Sequence, residues 1–231
     1  MQRLSEVDSD FAPFLQHAGV PSIDLYYGRD FPVYHTAFDS YDWITKYGDP
    51  LFHRHVAVAG IWGLLALRLA EDSILPFNYL SYAVQLQAHS DILANLTDAS
   101  KVSLHPITTA IQELVTAAKG VEEEAKNLRD QVTSDHLFGL KRRSLNDRLM
   151  LAERAFTDAD GLQGRSWFKH LVYGPPKDYE SKLNFFPGIA DAISQAAGMP
   201  KGKEQSSVQH EVWRVARAIR RAATALTGEL Y

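Results

Sequence analysis

A tyrosine and a histidine side by side, Tyr34-His35, are the residues in this sequence best placed to do chemistry. They sit in the stretch Phe31-Pro32-Val33-Tyr34-His35-Thr36-Ala37-Phe38-Asp39-Ser40-Tyr41-Asp42-Trp43, which is crowded with aromatic side chains. A neutral imidazole on a loop can ligate zinc, and a neighbouring phenol can donate a hydrogen bond to an oxyanion. The competing reading is a hydrogen-bonded histidine under an aromatic lid. Asp39 and Asp42 lie close in sequence, but no His-Glu-x-x-His or other metal pair accompanies them. His53 and His55 stand two apart on a predicted helix, so they point to different faces and cannot chelate together.

Other clusters read as structure. Glu122-Glu123-Glu124 is a solvated helix face, and Lys141-Arg142-Arg143 is a soluble helix start. Arg214, Arg217 and Arg221 form a stripe best explained by salt bridges within a helical bundle or across an oligomer. A net charge of −4 over 231 residues gives no electrostatic reason to expect nucleic acid or an anionic membrane. There is no cysteine, which excludes disulfides and thiolate zinc sites. No glycine-rich phosphate loop and no Gly-x-Ser-x-Gly elbow is present. The first eight residues carry no signal-peptide core, and the apolar run Val56 to Leu67 is too short to span a bilayer.

The elements that must position the pair can be read in order. Ser9 is placed to cap a short helix ending near His17, with Gly19 closing it in a left-handed conformation. Ser22-Ile23-Asp24-Leu25-Tyr26-Tyr27 alternates polar and apolar between Pro21 and Gly28, which predicts a strand. His35 would then lie in a loop just beyond a strand end, where ligand groups often sit. Ser40 predicts an N-cap, and Asp49-Pro50 a second helix start running to about Ala70. After Pro76 the text is almost wholly helical, with helices over 79–96, from Pro106 to about Val132, over 140–156 and from Pro187 to Ala197. An irregular stretch from Asp158 to Phe186 interrupts them, long enough to be functional. The last helix repeats Val208, Val212, Val215, Ile219, Ala222 and Leu226 in steps of four and three, a seam that asks for partner helices. Periodicity alone thus predicts a mainly α chain: an α/β edge over residues 1–75, then an antiparallel helical bundle over 76–231.

A longer series of motifs carries a family resemblance. Ser9-Asp10-Phe11, Phe14-Leu15-Gln16, Gly19-Val20-Pro21, Tyr34-His35-Thr36, Asp49-Pro50, Leu75-Pro76-Phe77 and Tyr82-Ala83-Val84 follow one another in order. Asn146-Asp147-Arg148-Leu149-Met150, Glu153-Arg154-Ala155-Phe156, Tyr173 and Phe186-Pro187-Gly188-Ile189 continue it. In this the chain resembles the C-terminal third of plant glutamate carboxypeptidases, two-zinc peptidases related to the transferrin receptor. The resemblance implies that residues 1–75 are the end of an α/β zinc-peptidase domain and 76–231 a transferrin-receptor-like dimerisation domain. It implies that His35 is a ligand of one zinc and that Tyr34 hydrogen-bonds the substrate or tetrahedral intermediate. It implies that Tyr173 to Phe186 lends a loop to the substrate pocket, with Ser9 and Lys182 as substrate-binding residues. The family's lysine-tyrosine pair that grips a C-terminal glutamate falls on Glu180 and Ser181, one step from Lys182, which puts glutamate preference in question.

The other zinc ligands and the general-base glutamate of the family would lie upstream of Met1. One histidine cannot hold a zinc pair, so the chain alone is expected neither to bind zinc stably nor to hydrolyse peptides. In an intact enzyme, two zincs would support release of C-terminal glutamate or acidic residues. The expected partners are a second copy or a full-length paralogue, bound through a bundle surface probed at Val215 and Ile219. The resemblance places the intact protein in the endomembrane system, with a lumenal or extracellular peptidase. The alternative function is a stand-alone, non-catalytic interaction module that pairs with full-length paralogues.

Overall fold

The computed structural model describes residues 3–27, 32–97, 102–130, 136–178, 181, 183–196 and 202–229. Seven α-helices run through these residues: α1 (Tyr41–Trp43), α2 (His53–Glu71), α3 (Tyr79–Leu96), α4 (His105–Asp130), α5 (His136–Arg154), α6 (Pro187–Ala196) and α7 (Lys203–Thr227). Two π-helical turns, Pro13–His17 and Ile44–Gly48, join them. The chain is mainly α. The strand expected at Ser22–Tyr27 is not formed, and among the described residues pairing is limited to isolated bridges, Thr157 with His170 and Leu162 with Arg165. The physical reason is that alternation prepares a strand face, but a strand needs a neighbour to take its backbone hydrogen bonds.

The fold divides into two compact units, one within Met1–Ile23 and Phe77–Tyr231 and the other within Asp24–Pro76. The first is a helical bundle to which the N-terminal stretch belongs. Its centre is the pair α4 and α7. Ile107, Ala110, Ile111, Leu114, Ala118, Val121, Ala125 and Leu128 of α4 are buried, a three-four repeat over the whole helix. Gly120 lies within α4 without breaking it. All six seam residues of α7, Val208 to Leu226, are buried too, and so are Leu145, Leu149 and Ala152 of α5 and Phe156 just beyond it. Val215 and Ile219 therefore face the interior of one unit and cannot report on a surface between subunits.

Polar contacts set the helix directions. Gln209 meets the Ser103 backbone and Arg220 meets Glu113 at 3.1 Å, so α7 runs alongside α4 in the same direction. Arg142 donates to the Leu128 carbonyl and Arg148 pairs with Glu124 at 2.5 Å, so α5 runs against α4. Tyr79 reaches Leu149 and Tyr82 reaches Glu153, which sets α3 parallel to α5. Consecutive long helices thus alternate in direction, and the connection through α6 returns α7 to the side of α4.

Of the arginine stripe, Arg214 is the internal member. It is buried, pairs with Glu211 at 3.1 Å and Asp158 at 3.2 Å, and donates to the Gly161 carbonyl at 2.6 Å. Burial alone would lower the guanidinium pKa; the two carboxylates more than offset it and raise it above its ordinary value. Arg221 donates to the carbonyls of Ala155 and Thr157, tying α7 to the turn after α5.

The N-terminal stretch is held by a small core of Phe11, Ala12 and Leu15 with Leu4. The Gln16 carbonyl accepts from the amides of Lys169 and His170, and His17 Nδ1 lies 2.8 Å from the Trp167 carbonyl. Gly19 ends the turn at φ 64°, as its position predicts, and a Cβ there would stand 2.7 Å from the Arg154 Cα. Both the backbone region and the close approach demand glycine. Gly19→Ala should destabilise the helical unit by about 2 kcal/mol, measured as a fall in midpoint on urea unfolding.

In the second unit Ser40 Oγ accepts from the Trp43 amide, the predicted cap. The next helix starts later than Asp49-Pro50 suggests, because Phe52 takes a left-handed conformation at φ 55° just before His53. Asp49 still caps it from a distance: its Oδ2 accepts from the amides of Arg54 and His55, each at 3.0 Å.

Candidate functional site

Tyr34 and His35 occupy a tight turn pinned by short-range bonds. The Val33 carbonyl accepts from the Thr36 amide at 3.0 Å and from the Thr36 hydroxyl at 2.6 Å, and the Phe38 amide donates back to that hydroxyl. His35 sits at φ 60°, in the left-handed region that histidine enters more readily than bulky branched residues. The turn brings the two rings together, stacked with centroids 3.8 Å apart, and Tyr34 is 61% exposed. The pair is thus a presented surface feature rather than a histidine under an aromatic lid.

The other predicted site residues belong to other parts of the chain. Ser9 belongs to the helical unit, where its carbonyl accepts from the Ala12 amide at 3.2 Å. Lys182 and Glu180 lie outside the described residues. His55 pairs with Asp49, Nδ1 to Oδ2 at 2.7 Å. Burial pushes the Asp49 carboxyl up, while the bonds from His55 and the two amides outweigh it and hold the carboxyl below its ordinary value. That pair caps α2. No group of three His, Cys, Asp or Glu side chains that could hold a metal ion occurs among the described residues. His35 alone does not fit a zinc centre, which takes three or four protein ligands.

Among the described residues, a buried polar cluster lies under the loop that follows α5. His170 is fully buried. Its Nδ1 accepts from the amides of Val172 and Tyr173, at 3.2 and 2.9 Å. Two donors at Nδ1 leave the proton on Nε2, which donates to Glu153 at 3.1 Å. Tyr82 donates to the same carboxylate oxygen at 3.3 Å. Burial and then the Glu153 charge raise the phenols of Tyr79 and Tyr82 well above the ordinary tyrosine value, so both stay protonated and keep the proton they donate. The arrangement is a clamp: α5 holds the loop through one carboxylate, and α3 holds the carboxylate.

Next to the clamp, His89 of α3 stacks on Phe185 at 4.0 Å and lies 3.4 Å from the Tyr173 hydroxyl. Arg3 sits over the Tyr82 ring at 4.7 Å. Burial, then the Arg3 charge, lowers the His89 pKa from 6.5 to about 4. A folded-state value below the unfolded one means that the unfolded chain binds the extra proton between those two values. Stability held above pH 6.5 is therefore lost as pH falls towards 4. The expected loss is about 1–2 kcal/mol after allowance for the ring's solvent-facing edge, read by urea unfolding at pH 7 and pH 5, with the difference reduced in His89→Phe.

The downstream part of the loop is pinned by Asp191. Its Oδ1 accepts from the Lys177 amide at 2.8 Å and its Oδ2 from Arg165 at 2.6 Å, while Arg165 also holds the Pro175 carbonyl. Glu153 and Tyr173 stand within the family motifs, whereas no motif or spacing in the sequence marks His89, His170 or Asp191. A signal was present: Glu153 directly follows Ala152 on the apolar face of α5, where a carboxylate needs a buried donor.

Comparison with known proteins places this geometry. Residues 102–227 match the model of the transferrin receptor-like dimerisation domain. The chain belongs to that family. Over 99% of its length it is 59% identical to the probable glutamate carboxypeptidase AMP1 of Arabidopsis thaliana, and 55% identical to the probable glutamate carboxypeptidase VP8 of Zea mays. It is also 27% identical, over 93% of its length, to an inactive zinc metalloprotease of Schizosaccharomyces pombe. The chain spans about a third of the length of the two plant relatives, 32% of each. The matched segment runs from three residues before α4 to the last residue of α7 and includes the Glu153–His170 clamp and the loop it holds. Among the described residues, no single helix is long and apolar enough to cross a membrane.

Proposed function

We propose that this chain is the dimerising portion of a glutamate carboxypeptidase-type zinc peptidase and supplies one wall of its substrate site. The observation that carries the reading is 59% identity over 99% of the chain to a protein named a probable glutamate carboxypeptidase, together with the dimerisation-domain match. The helical unit forms the dimer, as homodimer or with a full-length paralogue. Tyr34 and His35 are this chain's contribution to the site, presented on the stacked turn: the phenol to the substrate carbonyl oxygen, the imidazole to a metal whose other ligands another stretch of polypeptide provides. On this reading the loop from Tyr173 to Phe186 serves the substrate pocket, and Ser9 and Lys182 are substrate-binding residues. The proposed reaction of the complete protein is release of a C-terminal glutamate or acidic residue, in an endomembrane lumen or outside the cell.

Two measurements test this. Sedimentation of the purified chain should give a dimer. With zinc added, the chain alone should not turn over an acidic dipeptide, whereas turnover that disappears in His35→Ala would overturn the view that its site is incomplete.

A second reading has one observation in its favour, the inactive relative from Schizosaccharomyces pombe. On that reading the chain is a non-catalytic partner of full-length paralogues. Co-purification with such a paralogue, with no change in peptidase activity when Tyr34 and His35 are both replaced by alanine, would favour it.

A further inference from the structure

We infer that Asn95, in the last turn of α3, is an N-glycosylation site. Asn95-Leu96-Thr97 is an acceptor triplet with no proline at its centre, and no second such triplet occurs in the 231 residues. Triplets of this kind also arise by chance; what distinguishes this one is where the fold puts it. Asn95 is exposed. Along α3, Val84, Ala88 and Asp91 precede it by close to whole numbers of turns, and all three are exposed. Leu86 and Leu93, which are fully buried, stand about half a turn out of phase. The asparagine therefore shares the stripe of α3 that faces away from the core of the helical unit. A bulky, hydrated sugar chain on that stripe displaces no buried side chain. Ile92 and Leu96 flank it at 46% and 53% exposure, so a glycan here also shields apolar surface from other chains.

The fold also fixes when the sugar is added. A glycosyl transferase reads the hydroxyl of the third residue together with the asparagine amide, on a segment free to turn. In the folded chain Asn95 is helical, and the Thr97 hydroxyl donates to the Leu93 carbonyl at 2.9 Å. The Thr97 amide donates to the same carbonyl at 3.0 Å. Transfer therefore belongs to the nascent chain, before α3 closes its last turn. The co-reactant is an oligosaccharide joined to a lipid through pyrophosphate. Asn95 Nδ2 attacks the anomeric carbon, forming a C–N bond while the C–O bond to the pyrophosphate breaks. The lipid pyrophosphate leaves with the bonding pair, and the amide gives up one proton to a base of the transferase. The inference rests on the lumenal or extracellular location proposed above, and not on peptidase activity.

The test has two arms. In the first, the full chain is translated behind a cleavable secretory leader in the presence of microsomes. The expected result is a single upward step in apparent mass, reversed by an amidase that cuts the glycan–asparagine bond. The step should vanish in Asn95→Gln and in Thr97→Ala and persist in Thr97→Ser, which keeps the hydroxyl. Because transfer precedes folding, its loss in the first two variants does not depend on whether they fold. In the second arm, the endogenous protein is captured with an antibody to the helical unit and deglycosylated in heavy-oxygen water. Mass spectrometry should find position 95 converted to labelled aspartate. No step in the first arm, or a step that survives Asn95→Gln, overturns the site itself. Modification in the first arm with an unmodified Asn95 in the endogenous protein overturns the inference through its compartment, and the lumenal reading falls with it. Neither failure bears on the peptidase reading, which stands or falls on turnover of an acidic peptide by the complete protein.

Discussion

Glu153→Ala should destabilise the helical unit by about 3–5 kcal/mol on urea unfolding, among the largest effects of any single substitution in this chain. The carboxylate is buried and accepts from His170 Nε2 at 3.1 Å and from Tyr82 at 3.3 Å. Removing it orphans two buried donors, each at a cost of about 1–3 kcal/mol, and leaves a void beside Phe156 and Tyr82. Glu153→Gln keeps an acceptor oxygen for both donors and should cost only about 1–2 kcal/mol. The damage should also be local before it is global. Val172 and Tyr173 hold the His170 ring by their amides, so faster hydrogen exchange at these two positions in Glu153→Gln would trace the loop's conformation to the clamp. Unchanged exchange with a normal unfolding midpoint in Glu153→Ala would refute the clamp.

Arg214→Leu should be comparably severe, about 3–5 kcal/mol, for the opposite electrostatic reason. Here the residue removed is the cation, and the groups abandoned are Glu211, itself buried, and Asp158, together with the Gly161 carbonyl. Two carboxylates left without their counter-ion in a dry environment repel each other and lose their donors. Arg214→Lys retains the charge but not the fork that reaches three partners, and should fall between the two. Because the groups form one network, adding Glu211→Gln to Arg214→Leu should recover about 1 kcal/mol; strictly additive losses in the double mutant would argue against a shared network.

The two ledgers of sequence and structure differ in a consistent way. The helical unit was legible because its information is local and periodic. The α7 seam, the Leu145, Leu149, Ala152, Phe156 series and the limits of α3 each follow from side chains three and four apart, and burial in the structure follows the same spacing. Caps were legible for the same reason: Ser40 and Gly19 act on bonds within a few residues of themselves. The chemical weight given to Tyr34 and His35 came from their adjacency in a loop beyond an expected strand; that strand is not formed, and the two rings stack in a tight turn instead.

What could not be read was everything that depends on a distant partner. Ser22–Tyr27 has the pattern of a strand, but a pattern cannot supply the neighbouring chain that a strand must pair with, and the stretch stays unpaired. Val215 and Ile219 looked like residues of a self-association surface; the path of α7 beside α4 turned them inward. His170 meets Glu153 across 17 residues, and Arg214 reaches Asp158 and Gly161 from another helix, pairings that no spacing rule encodes. The amino-acid pattern thus set which segments are helical and which faces are apolar, since propensity and periodicity act along the chain. Which buried charge meets which, and which apolar face stays exposed, is set by contacts across space, where burial turns an ordinary carboxylate or arginine into a group that must be matched.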